Sequence, residues 1–130
     1  MSTDQNKVVV QRFITEVLAG GNLEAIDELL APNYTNPTMG TDRSAFKAML
    51  TGMVAAIPER RFDLLDLVAE GDAVVARFSY EMTGTGGKKI SARGLTYYRL
   101  ADDKIVEDEP MSNPDMVQAI GSLMPAPASA

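Results

Sequence analysis

The chain has 130 residues, a formal net charge of −6 and 45% hydrophobic against 23% charged residues, which fits one domain able to bury roughly two-thirds of its unfolded surface without a covalent staple. It contains neither Cys nor His, so disulfides, thiolate or imidazole metal sites, Cys nucleophiles and Ser-His relays are excluded, and acid–base work falls to Asp, Glu, Lys, Tyr or water. The acidic balance argues against a nucleic-acid partner and against an anionic membrane surface.

The opening MSTDQNK is polar and lacks a signal-peptide core, and no apolar run approaches the ~20 residues of a membrane span. A cytoplasmic protein is expected. Val10, Phe13, Ile14, Val17 and Leu18 recur at helical spacing, so the first helix is predicted over Asp4 to Ala19. Ser2 and Gln5 have the spacing of a capping box, and Gly20-Gly21 stops the helix. A short second helix follows, with Asn22 as N-cap, Ile26, Leu29 and Leu30 as its apolar edge, and Pro32 as its end. Asn33 to Pro37 reads as a brief strand leaving through a loop to Gly40. A third helix, capped by Thr41 or Asp42, carries Phe46, Met49, Leu50, Met53, Val54 and Ile57 and stops at Pro58.

From Arg61 the periodicity changes to that of strands. Four are predicted: Arg61–Ala69, Ala73–Thr83, Lys89–Leu100 and Lys104–Asp108. Their turns are Glu70-Gly71-Asp72, Gly84 to Gly87 and Ala101-Asp102-Asp103, so the strands form an antiparallel meander. The Gly84 cluster lacks the Lys and the following helix of a phosphate loop. A helical piece from Pro114 to about Leu123 closes a single domain, 1–124, and 125–130 is expected to be a disordered Pro/Ala tail. Helices first and strands after is an α+β order, with a twisted sheet curling over a helical layer.

Three stretches in this order, LAGGNLEAIDELLAPNY, PERRFDLLDLVAEGDAVVARF and YYRLADDKIVE, resemble the SnoaL-like branch of the nuclear transport factor 2-like superfamily over about Asn6 to Gly121. The resemblance implies a cone: a curved antiparallel sheet wrapped around three N-terminal helices and one buried pocket. It also implies a small hydrophobic molecule as partner, no cofactor, no metal, and a homodimer through the outer face of the sheet. Phe62, Phe78, Tyr80, Tyr97 and Tyr98 are more apolar than one core face requires, in keeping with such a pairing.

The superfamily hosts several chemistries. Its polyketide cyclases close a ring by an intramolecular aldol step, with an Asp near the end of the last strand in a motif like Lys-Ile-x-x-His-x-Asp. Here that stretch is Lys104-Ile105-Val106-Glu107-Asp108-Glu109-Pro110, with Pro110 in the place of the Asp. The family's His on the preceding strand aligns with Thr96, and another near the hairpin with Gly84. The pocket-mouth motif Tyr-x-Asn-Pro is kept as Tyr34-Thr35-Asn36-Pro37. Strand side chains alternate, so if position 110 faces the pocket Asp108 does too, about 7 Å back along the strand. Burial would raise its pKa into the range of a general base. The plainer alternative is a solvated strand-end charge beside Glu107 and Glu109, with Pro110 ending the strand.

Isomerase-type chemistry meets Asn36 where its Asp belongs and Phe13 where its Tyr belongs. Epoxide hydrolase-type chemistry finds Tyr34, Asn36 and Arg77 in place, but Ser79 and Pro110 stand where its two Asp residues would be. Two functions therefore stay open. One is a cyclase- or isomerase-like enzyme with Asp108 as acid/base and Tyr34, Asn36, Phe13, Thr96 and Arg77 around the ligand. The other is a binding protein that holds a similar ligand without turning it over.

Overall fold

The structure is a computed structural model that describes residues 2–113 and 115–124. The expected tail at 125–130 lies outside the described residues. Helix α1 spans Thr3–Arg12 and starts on the capping box, Ser2 Oγ accepting from Gln5 N at 3.1 Å and Gln5 Oε1 from Ser2 N at 3.0 Å. Over Phe13–Ala19 the helix widens into π-helical turns instead of running on as a regular α-helix. Phe13, Ile14 and Val17 on these turns all lie in the core.

A 3₁₀ turn at Leu23–Ala25 leads into α2, Ile26–Leu29, which is one turn long. The second helix thus ends earlier than Pro32. Strand β1 already starts at Leu30 and runs to Asn36 with Pro32 inside it. A proline is tolerated there because β1 pairs with its neighbour at Leu30 and Thr35, with an irregularity between them. Strand β2, Thr41–Asp42, precedes α3, Arg43–Ala56, whose N-cap Asp42 accepts from Ala45 N at 2.8 Å.

Strands β3 (Glu59–Glu70), β4 (Ala73–Thr83), β5 (Lys89–Ala101) and β6 (Lys104–Asn113) form the meander, and α4 (Met116–Leu123) follows. The sheet is larger than four strands: its order is β2-β1-β6-β5-β4-β3, and β1 lies parallel to β6. It is curved and not closed into a barrel. β5 alternates exposed and buried residues almost without a break, so one face meets the helices and the other looks outward.

The core joins Phe13, Ile14 and Leu50 from the helical layer to Val74, Ala76 and Leu100 from the sheet. Arg60 on β3 ties the helical layer down: its guanidinium donates to Leu18 O, Ala19 O and Ile57 O at 3.3, 3.3 and 2.7 Å. These carbonyls belong to helix C-terminal ends, which lack intrahelical partners. Buried Asn6 donates to Gly71 O at 3.2 Å and fastens α1 to the β3–β4 turn. Among the described residues no helix is long and apolar enough to cross a membrane.

Candidate functional site

β6 does not end at Pro110; it runs on to Asn113. Lacking an N–H, Pro110 is accommodated because the β1 pairings with β6 stop at Glu107. Its carbonyl accepts from Thr38 Oγ1 at 2.9 Å. Asp108 therefore sits inside a strand flanked by β1 and β5, on the face turned to the helices, and is 4% exposed. Its register partner on β5 is Tyr98, and that of Pro110 is Thr96.

Tyr34, on β1, donates its hydroxyl to Asp108 Oδ2 at 2.7 Å. Two residues on, Asn36 shares the face. Its Oδ1 accepts from Met39 N at 3.0 Å, which fixes the amide so that its other end serves the Tyr34 oxygen. The result is a relay from Asn36 through Tyr34 to Asp108. Burial raises the Asp108 carboxyl from 3.8 to about 7, and the Tyr34 hydrogen bond, which favours the ionised form, opposes that rise. Tyr34 is pushed well above the ordinary phenol range by burial first, then by the Asp108 charge and the hydrogen bond to it. Tyr98 is pushed up by burial and again by Asp108.

A cavity of about 40 Å³ lies against this cluster. Asp108, Asn36, Thr96 and Tyr98 line one end. The rest is apolar, from Met49 and Met53 on α3, Phe62 and Phe78 on the sheet and Ile120 on α4. At ~10–15 Å³ of such volume per water, the hollow holds a few waters and no ring compound. Among the described residues no Lys or Arg lines it. Among the described residues no cluster of three or more carboxylates is placed to hold a metal ion.

Of the residues picked from sequence, Asp108, Tyr34, Asn36 and Thr96 come together. Phe13 stands behind them, its ring 6.0 Å from Tyr98 and 5.8 Å from Phe46, and does not border the cavity. Arg77 is a correction: it is exposed on the outer face of β4, over a shallow depression with Leu65, Leu95 and Met111. The parity of β4 that buries Ala76 and Phe78 turns Arg77 away, so the Tyr-Asn-Arg set of the epoxide hydrolase pattern is not assembled. Tyr98 was missed. The available signal was parity, since it lies two residues from Thr96 on one strand. Phe62, Phe78, Tyr80 and Tyr98 also pack inward, leaving Tyr97 as the outward aromatic of that set.

The family model of the SnoaL-like domain matches residues 10–108. The chain belongs to the SnoaL-like domain family. Among solved structures, a candidate polyketide cyclase from Acidithiobacillus ferrooxidans is 28% identical, with a TM-score of 0.75 over 95% of this chain and 99% of that one. IdmH from Streptomyces antibioticus, also a candidate polyketide cyclase, is 24% identical, with a TM-score of 0.73 over 90% of this SnoaL-like chain and 99% of its own. A SnoaL-like polyketide cyclase from Agrobacterium tumefaciens is 18% identical, with a TM-score of 0.74 over 95% and 99%. At such identities the last two establish the shared fold alone. No curated protein matches the chain.

Proposed function

We propose that this SnoaL-like protein is a cofactor-independent acid–base enzyme of the cyclase or isomerase type, with Asp108 as the base and acid. The observation that carries the reading is a carboxyl buried in the cavity wall, poised near neutrality and held by the Tyr34 hydroxyl. A general base works best when its pKa lies near the operating pH. Asp108 sits two residues back along β6 from where the family's Asp would be, and it borders the same cavity as Pro110.

In the proposed reaction the Asp108 carboxylate takes a proton from a carbon flanked by carbonyls. The C–H electrons pass to an enolate, which forms a carbon–carbon bond to a second carbonyl of the same molecule. The resulting alkoxide takes the proton back from Asp108, so no atom is gained or lost. Tyr98, whose oxygen accepts from Thr96, offers a hydroxyl donor to the same cavity. Tyr34, held by Asn36, positions the carboxylate.

The test is enzyme-catalysed deuterium exchange at the acidic carbon of a neutral cyclic 1,3-diketone, followed by NMR. The wild type is expected to exchange it, and Asp108→Asn to lose about 10²–10⁴-fold while binding the diketone with unchanged affinity. An Asp108 carboxyl titrating near ~3.9 would remove the catalytic reading and leave the binding protein. We also propose a homodimer through the outer sheet face, supported by the exposed apolar row Leu65, Leu95, Tyr97 and Met111. A monomer by light scattering at micromolar concentration would contradict it.

A further inference from the structure

We propose that α4 is the movable wall of the cavity: it undocks to admit the ligand, and the ligand's apolar arm takes the place of Ile120 and Leu123. The inference rests on the interior cavity being the ligand site. It begins with a mismatch of size. The cavity, about 40 Å³, holds waters only, so a molecule with two carbonyls and a carbon frame needs a wall to move.

The walls differ in how they are held. The sheet is bound by its ladders. The helical layer is tied by Arg60 to three carbonyls and by Asn6 to the β3–β4 turn. In α4, by contrast, the hydrogen bonds described for 118–124 close within the helix and its cap. Gln118 N donates to Asp115 Oδ1, Ser122 Oγ to Ala119 O, and Met124 N to Ile120 O. What seats the helix is apolar: Ile120, which borders the cavity, and Leu123 are buried.

Two glycines form the seat. A Cβ on Gly84 would lie 3.4 Å from Leu123 Cδ2 and 3.6 Å from its Cβ, and one on Gly52 would lie 3.6 Å from the Met124 methyl. The walls that would receive the arm are Met49 and Met53 on α3 and Phe62 on β3, all of which already border the cavity. Apolar contact is non-directional, so an apolar arm of a ligand replaces Ile120 and Leu123 without leaving a polar group unpaired. The lining without Lys or Arg, next to Asp108, specifies that ligand further: it is neutral, with one carbonyl-bearing end and one apolar arm.

The same seat supplies the experiment. Disulfides need Cβ atoms about 3.5–4.5 Å apart, as positions 84 and 123 have, and the chain has no other Cys. In the Gly84→Cys/Leu123→Cys protein, binding of N-phenyl-1-naphthylamine is followed by its fluorescence and by the Asp108 carboxyl resonance. The reduced form is expected to bind the probe and shift that resonance. The oxidised form is expected to take it up at least tenfold more slowly or more weakly, with reductant restoring uptake. Equal uptake by the oxidised form, with the same Asp108 shift, overturns the proposal. Hydrogen exchange on the wild type gives a second reading that needs no variant: α4 amides are expected to exchange at least tenfold faster than those of α3. Exchange of α4 only with global unfolding overturns the proposal as well. A probe that leaves Asp108 unmoved while α4 still opens unseats the cavity as the ligand site, not the mobility of its wall.

Discussion

The two faces of the sheet treat neighbouring residues of one strand in opposite ways. Tyr97 is 37% exposed and Tyr98 is 1% exposed, although they are adjacent on β5. On β6 Glu107 faces out and meets the Arg99 guanidinium at 3.3 Å, where water shares the work of solvation and such a pair adds little stability. Asp108, next in the chain, faces in and meets a phenol instead of a cation. With no positive charge against it, the carboxyl is neutralised by its own proton until about pH 7. The contrast shows how a three-carboxylate stretch carries both surface charge and a poised base: the pleat sorts them.

The largest test of this contrast is stability against pH in Asp108→Asn. The Asp108 carboxyl stays protonated up to about 7 in the folded chain, against 3.8 for an unperturbed group. Between those values the folded state binds the additional proton, so stability falls as pH rises through the window and levels above it. At about 1.4 kcal/mol per unit the loss is roughly 4 kcal/mol. Asn cannot ionise, so urea unfolding is expected to show the variant more stable than wild type at pH 8 and level with it at pH 3. A difference that stays flat from pH 3 to pH 8 breaks the comparison.

Tyr34→Phe comes next. It removes the hydrogen bond that favours the ionised carboxylate, so the Asp108 titration by carboxyl NMR is expected to move above 7 and the acid limb of the exchange-rate profile to move with it. The cost at pH 8, where the acceptor is charged, is about 1.5–3 kcal/mol. The smallest effect is Arg77→Ala on the outer face. It is expected to change stability by less than about 0.5 kcal/mol and leave deuterium exchange as it was. A large loss of exchange would bring Arg77 back into the site.

Legibility in the sequence followed the strength of local signals. β4 has the expected bounds, Ala73–Thr83, because a clear turn stands on each side of a β-branched run. α3 was read from its apolar stripe and the stop at Pro58, and the capping box at Ser2 formed as expected. Pro32 and Pro110 misled for one reason. Each reads locally as a terminator, yet each sits where a tertiary pairing leaves its missing donor uncalled for. That pairing joins β1 to β6 and cannot be seen from either segment. The same partnership decided the site: Tyr34, Asn36 and Asp108 were named individually, but their hydrogen-bonded relay depends on two strands far apart in sequence. The widened turns of Phe13–Ala19 had no signal in composition or period.

Tyr34 and Asp108 are 74 positions apart, and the strands that bring them together run side by side in the same direction. A ribosome therefore releases α1 to α3, β1 and three strands of the meander before the strand that fits between β1 and β5 is made. Until then β1 and β5 each offer an unpaired edge to any other extended chain nearby. Late, non-local closure is slow relative to local hairpins, so the interval after β5 emerges is when the nascent protein most needs shielding from its neighbours.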